Sequence, residues 1–232
     1  MITEKEFLED VFEWDTTNWS TAARFWENHL NVRLAGASAL EIGAHNGGLS
    51  LWLAMKGADV ICSDMRDTRL QARKKHDHYG VAGNISYEKI DARYITYENR
   101  FDIVAFKSLL GGVRGYFGDD THIQVIDGIL RSLKPGGQLL FAENLDGCGL
   151  HRFSRARFVR WGKMWRYIRL SDVRLMFNGF AKIDFMTCGF AGAFGRGEPQ
   201  RYILGFLDQH VFDRIVPESW HYILIGVATK SR

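Results

Sequence analysis

The stretch from Ala37 to Asp64 constrains this chain more than any other. The apolar run Ala39-Leu40-Glu41-Ile42 reads as a buried strand, and the tight turn Gly43-Ala44-His45-Asn46-Gly47-Gly48 follows it. Leu49, Leu51, Trp52, Leu53 and Met55 then mark a helix that Gly57 closes. A second apolar run, Asp59 to Cys62, ends in Ser63-Asp64. A strand–glycine turn–helix–strand unit with an acid at the second strand's tip suits a nucleotide-like cofactor. The glycines let a ligand approach the backbone, and the helix N-terminus offers free N–H groups.

The rest of the chain continues the alternation. A polar helix from Thr68 to about Tyr79 precedes a third strand, Ile85 to Ile90, with Asp91-Ala92-Arg93 at its tip. Phe101 to Phe106 is a fourth strand leading into Lys107-Ser108-Leu109-Leu110-Gly111-Gly112. A helix carrying Ile123, Ile126, Ile129 and Leu133 follows, then the turn Lys134-Pro135-Gly136-Gly137 and a fifth strand from Gln138 to Ala142. Ala181 to Met186 and Trp220 to Thr229 complete seven strands, the last pair antiparallel. The expected fold is α/β, a doubly wound, mainly parallel seven-stranded sheet with an antiparallel C-terminal strand and helices on both faces. The 232 residues suit one such domain: a helical cover over 1–36, then 37–232 with a basic helical insertion at 146–180. In the cover, Thr3 to Glu6 reads as a capping box, and Trp14, Trp19 and Trp26 either pack on the sheet or lie over the cofactor mouth.

Composition excludes several classes. With 46% apolar residues and three prolines the chain is ordered rather than disordered. A net charge of +3 does not by itself imply nucleic acid. The three cysteines, Cys62, Cys148 and Cys188, form neither a zinc spacing nor a disulfide framework and read as reduced thiols. A polar, acidic start and the lack of any run of membrane-spanning length add to the expectation of a cytoplasmic protein.

The turn discriminates among cofactors. His45 stands where a dinucleotide fingerprint has its middle glycine, and no Walker-type ending follows. What fits is Glu41-x-Gly43-x-x-x-Gly47, with Asp64 after strand 2, Asp91 after strand 3, Phe101 to Ser108 at strand 4, and Leu133-Lys134-Pro135-Gly136-Gly137 before strand 5. In this order the chain resembles the class I S-adenosylmethionine (SAM)-dependent methyltransferases over roughly 37–145, plus the terminal antiparallel pair. The departure is His45. The resemblance implies that Glu41 meets the cofactor's methionyl ammonium, directly or through water. Gly43, Ala44, Asn46 and Gly47 would offer backbone to its carboxylate and ribose. It further implies that Asp64 accepts the ribose hydroxyls, Met65 packs on adenine and Asp91 bonds the adenine amino group. His45, Ala92 and Lys107 complete the expected cofactor contacts.

Methyl transfer to a hydroxyl requires alignment and, for a sugar, a general base. Lys107, Asp146, His122 and His151 are candidates; His151 is favoured because its ordinary pKa suits the task. From Leu150 to Leu170 the chain reads as one helix, with seven basic residues and no acid between His151 and Arg169. Arg152 and Arg155 on it, with Arg196 in the glycine-rich 189–197 loop, would bind an anionic acceptor. The alternatives are a solvated basic face or contact with a membrane surface; RNA is disfavoured because no recognition module accompanies the patch. The glycine turn and the Gly195-Arg196-Gly197-Glu198-Pro199-Gln200-Arg201 tail are also similar to bacterial methyltransferases of surface-polysaccharide biosynthesis. The expected activity is therefore O-methylation of an anionic sugar, glycan or other small acidic acceptor, independent of metal. An RNA methyltransferase and a non-catalytic nucleotide-binding module are the rival readings.

Overall fold

The computed structural model describes residues 2–159 and 164–232. Seven strands form one sheet: β1 (Ser38–Ile42), β2 (Asp59–Asp64), β3 (Ile85–Lys89), β4 (Phe101–Lys107), β5 (Leu133–Asn144), β6 (Lys182–Cys188) and β7 (Ile223–Thr229). Their order is β3-β2-β1-β4-β5-β7-β6. The first five run parallel, and β7 inserts antiparallel between β5 and β6. This is the doubly wound sheet expected from the alternation. Chain direction along the sheet reverses between β1 and β4, so a crevice opens at the C-terminal ends of these two strands.

The strands alternate their apolar residues between two cores, as the period of two requires. On β1 and β4, Ala39, Ile103 and Ala105 face one cluster, while Leu40, Ile42, Val104 and Phe106 face the other. The first cluster is closed by α1 (Glu4–Phe12), α2 (Thr16–Trp19), α3 (Thr21–His29), α4 (Gly48–Met55) and α5 (Arg69–His78). The second is closed by α6 (Leu110–Phe117) and α7 (Thr121–Ser132). The reciprocal Thr3–Glu6 capping box starts α1, as its sequence suggests. The tryptophans divide their roles. Trp19 and Trp26 are fully buried, and the Trp26 indole donates to the Gly226 carbonyl at 3.2 Å. Trp14 instead lines the crevice.

Three local expectations differ from what is seen. The Lys134 to Gly137 turn lies inside β5, as a bulge where pairing with β4 shifts register between Phe101 and Ile103. A further helix, α10 (Glu198–Leu207), follows the glycine-rich loop; Pro199 in its first turn suits the missing N–H there. The Leu150–Leu170 helix is shorter: α8 runs Gly149–Phe158, residues 160–163 fall outside the described residues, and 164–169 are not helical. The reason is packing against α6. A Cβ on Gly115 would lie 1.6 Å from the Met164 carbonyl oxygen, and one on Gly111 would lie 2.0 Å from the Trp165 ring nitrogen. Arg166 N–H donates to the Gly111 carbonyl at 3.0 Å, and Ile168 bridges to Leu145. An extended segment seats on these glycines. The short helix α9 (Val173–Met176) then leads to β6.

The cover is fitted to the glycine turn as tightly. A Cβ on Gly48 would meet the Val11 carbonyl oxygen at 2.1 Å, far inside contact distance. Gly48→Ala must therefore push α1 off α4, and overpacking of this kind costs about 1–3 kcal/mol. Denaturant unfolding should show that loss; a variant as stable as the parent would mean that α1 is not held where it is seen.

Candidate active site

Glu41 is the hub of the turn, but it faces the helix rather than the crevice. Its Oε1 accepts from Leu49 N–H at 3.1 Å, and its Oε2 from Ser50 N–H at 2.7 Å and Ser50 Oγ–H at 2.5 Å. Burial raises its pKa to about 7, with the Ser50 and Leu49 donors opposing the shift. The expected contact with a methionyl ammonium is thus replaced by capping of α4, because the first-turn N–H groups of a buried helix need acceptors. Gly43 and Gly47 hold φ of +69° and +74°. A Cβ on Gly43 would lie 2.8 Å from Leu109 Cδ1, so the backbone approaches β4's end as only glycine permits. His45 takes φ +50° without being glycine; its exposed ring donates from Nδ1 to Glu13 Oε2 at 3.0 Å.

His76 on α5 supports the turn from behind, a role invisible in the sequence. It is fully buried, its Nε2 is 2.8 Å from the Gly47 carbonyl and its Nδ1 is 2.7 Å from the Tyr87 hydroxyl. The carbonyl can only accept, so Nε2 carries the proton and Tyr87 O–H donates to Nδ1. Burial pushes the His76 pKa down, against the pull of the Gly47 carbonyl.

The crevice has a volume of about 720 Å³, within the range of small-molecule sites. On the β2 and β3 side it is lined by Asp64, Met65, Arg66, Asp67, Thr68, Gln71, Ile90, Asp91 and Ala92. Near β1 and β4 it is lined by Glu13, Trp14, Gly43, His45, Lys107, Ser108, Leu109, Gly112, Val113, Tyr116, Phe117 and Trp165. Asp64 accepts His45 N–H at 3.0 Å and Arg66 N–H at 2.9 Å, one on each oxygen. A carboxylate has about four acceptor sites, so it retains capacity for hydroxyls. Asp91 is held by Arg93 through a bidentate pair with a shortest distance of 2.6 Å, and this pair keeps its pKa low. Arg93 in turn lies 3.5 Å over the Phe117 ring. Lys107 is half-buried, with its Nζ 4.9 Å from the Trp14 ring centre and 4.8 Å from that of Trp19. Burial brings its pKa down to about 8, although Glu13, Glu143, Glu41 and Asp15 pull the other way. A second cavity of about 760 Å³ lies between α1, α2 and α10, but it lacks the strand-tip acids.

Of the cofactor residues expected from sequence, Gly43, His45, Asp64, Met65, Asp91, Ala92 and Lys107 line this crevice, while Glu41, Ala44, Asn46 and Gly47 build the turn behind it. The acceptor residues fare differently. His151 is 1% exposed, with Nε2 donating to the Phe190 carbonyl at 2.8 Å, Nδ1 facing Cys148 N–H at 3.3 Å, and its ring stacked on Phe194 at 4.8 Å. It ties α8 to the 189–197 loop and is not at the crevice. Asp146 pairs with Arg152 at 3.0 Å, and Arg155 donates to the Leu145 and Asp146 carbonyls at 2.9 Å. Arg196 is exposed on its loop. None of these lines the crevice. His122 contacts the Asp119 carbonyl at its own helix start. Glu13, Tyr116, Phe117 and Trp165 are among the lining residues that sequence reasoning missed, with Gln71 and Val113; the Gly111-Gly112-x-x-Gly115 spacing is the signal that something packs there. Among the described residues no group of three or more His, Cys, Asp and Glu side chains could hold a metal, and no helix is long and apolar enough to cross a membrane.

Comparison with known proteins agrees with this geometry. Residues 39–137 match the family model of a methyltransferase domain. The chain is 33% identical over 114 residues to the ubiquinone biosynthesis O-methyltransferase of Pseudomonas fluorescens strain Pf0-1, covering 48% of this chain and 46% of the relative. It is 32% identical over 128 residues to a ubiquinone/menaquinone biosynthesis C-methyltransferase of Saccharophagus degradans, covering 52% and 49%. The chain thus spans about half the length of the curated relatives it matches. In fold it is similar to Haemonchus contortus phosphoethanolamine N-methyltransferase 2, solved with phosphomonomethylethanolamine and S-adenosylhomocysteine (TM-score 0.66, 16% identity, 100% of this chain and 61% of that one). It is likewise similar to a putative methyltransferase from Bacillus halodurans (TM-score 0.62, 15% identity, 92% and 100%). The fold is that of the class I SAM-dependent methyltransferases. The crevice suits SAM: the backbone is stripped of side chain at Gly43, and Asp64 keeps free acceptor capacity.

Two measurements probe this site. Asp64→Ala should weaken SAM binding by calorimetry by about tenfold or more, since it removes charge-assisted acceptors for hydroxyls. For His76 the folded pKa lies below the unfolded one, so the unfolded state binds more protons as pH falls. The stability His76 contributes is complete above its unfolded pKa of about 6.5 and is lost as pH drops through the lower, folded value. Between pH 7 and 5 the parent should lose more stability than His76→Gln, in which the amide still donates to Gly47; parallel curves would refute this.

Proposed function

We propose that this chain is a methyltransferase that moves the methyl group of SAM to an acidic hydroxyl, phenolic or enolic, on a flat acceptor. The observation that carries this reading is Lys107 with its amine over the Trp14 and Trp19 rings, in a crevice whose wall Trp14, Tyr116, Phe117 and Trp165 also line. Aromatic walls favour a planar, largely apolar molecule. The amine chemistry narrows the acceptor further. A base with a pKa of about 8 is matched to a hydroxyl that ionises near 10, as a phenol does, and not to an ordinary sugar hydroxyl. The anionic-glycan reading rested on Arg152, Arg155, Arg196 and His151, all of which are engaged or exposed away from the crevice. That relatives are named for O-methylation in ubiquinone biosynthesis supports a hydroxyl acceptor.

Bound SAM supplies an electrophilic methyl group on a sulfonium. The residues of the chain do the rest. Asp64 and Asp91 hold the adenosine end, Trp14 and Trp165 align the acceptor ring, and neutral Lys107 takes the hydroxyl proton as the oxygen attacks. The resulting ammonium rests over Trp14 and Trp19, near Glu13 and Asp15.

Release of S-adenosylhomocysteine with a panel of phenols, catechols and hexuronic acids is the direct assay; turnover of the uronic acids alone would overturn the proposal. Because Lys107 must be neutral, kcat/KM should rise with pH and level off above about 8. Lys107→Met should lose that rise and about 100-fold or more of the rate, the usual contribution of a general base, while SAM affinity stays near the parent value. Unchanged turnover would exclude Lys107.

A further inference from the structure

Residues 13–15 form a bend that is strained twice: Glu13 holds φ +67° and Asp15 φ +46°, with Trp14 between them. Neither is glycine, and such conformations persist only where the surroundings enforce them. Glu13 N–H donates to the Glu9 carbonyl at 2.8 Å, closing α1. Asp15 is buried; its N–H donates to Glu198 at 3.1 Å and its carboxylate accepts from Tyr222 O–H. The bend therefore fixes where the two intervening side chains go. Trp14 faces Lys107, and Glu13 faces the glycine turn, where its Oε2 meets His45 Nδ1 at 3.0 Å. Glu13 Oε1 is buried with no hydrogen bond of its own and forms an ion pair with Lys75 Nζ at 3.6 Å, while the Asn46 side chain also reaches the carboxylate.

The amino-acid end of SAM carries an ammonium, and enclosing an ammonium without a counter-charge is costly. The acids lining the crevice are Glu13, Asp64, Asp67 and Asp91. Asp64 ends β2 with its oxygens on the His45 and Arg66 N–H groups, Asp67 lies beyond it, and Asp91 follows β3 in a pair with Arg93. Glu41, the acid of the β1 strand, has both oxygens on the first turn of α4. Among the described residues that line the crevice, the acid contributed by the N-terminal cover is Glu13, with its carboxylate at the glycine turn. We propose that Glu13, from the N-terminal cover, is the counter-charge for the α-ammonium of SAM, so that the cover is part of the cofactor site. One strained bend then serves both ligands, Glu13 the methyl donor and Trp14 the acceptor.

This assignment rests on the reading of the crevice as the SAM site, and the test separates the two. Calorimetry is run with S-adenosylhomocysteine, with its desamino analogue, in which hydrogen replaces the ammonium, and with methylthioadenosine, which lacks the amino-acid portion. Glu13→Gln should bind S-adenosylhomocysteine roughly tenfold or more weakly than the parent, the usual worth of a hydrogen-bonded charge, with the other two ligands within about twofold. Equal loss on all three ligands, or no loss on any, overturns the proposal, the first because the role is then structural. Should Glu13→Gln not fold, Glu13→Asp, which keeps the charge but retracts it, should show a smaller loss confined to S-adenosylhomocysteine; a loss shared with methylthioadenosine overturns it. If the parent binds none of the three, the cofactor reading itself falls, and this proposal with it.

Discussion

Glu41 sits on the central strand with its carboxylate turned onto the first turn of α4, and much of the site depends on that contact. It fixes how α4 leaves β1, and so the shape of the turn between them. Three donors from Leu49 and Ser50 fix the start of α4 beside the positive φ values at Gly43, His45 and Gly47. The same device recurs one crossover away. Glu143 on β5 is fully buried and accepts from Leu109 and Leu110 N–H at 2.8 and 2.7 Å, where α6 starts. Burial raises its pKa, with those N–H groups opposing the shift. Two strand carboxylates thus anchor the two helices that flank the crevice.

Strain concentrates around that crevice. Of the five described non-glycine residues with positive φ, Glu13, His45 and Ser108 line it and Asp15 adjoins it. The framework that tolerates them is the sheet, whose strand ends are fixed by parallel pairing on both sides of β1. The cover contributes as much as the sheet does. Val11 lies against Gly48, Glu13 against His45, and Trp14 against Lys107.

The alternating elements and the β1–α4 unit were legible in the sequence because their signals are local: apolar periodicity, and glycines where the chain must turn. Asp64, Asp91 and Lys107 were legible for the same reason, as residues at strand tips. Glu41 was misread because a carboxylate just before a glycine turn looks ready for a ligand; Ser50, one turn into α4, is what claims it. His151 was misread because its partners, Phe190 and Phe194, arrive from a distant loop. Residues 164–168 have a pattern compatible with a helix, and the glycines of α6, some fifty positions earlier in the chain, decide otherwise. Glu13 gave no local sign at all, since its place depends on a bend held by Tyr222 and Glu198.

The seating of residues 164–166 on Gly111, Gly112 and Gly115 has a wider consequence. The wall carrying Trp165 is joined to α6 through a main-chain hydrogen bond and close backbone approach, and it lies outside the sheet. Under the function proposed above, the methyl-donor half and the acceptor half of the cavity would be separable parts: exchange of one short strap would remake the acceptor pocket while leaving the donor cradle intact, so that acceptor preference could drift among descendants of this chain without loss of the chemistry.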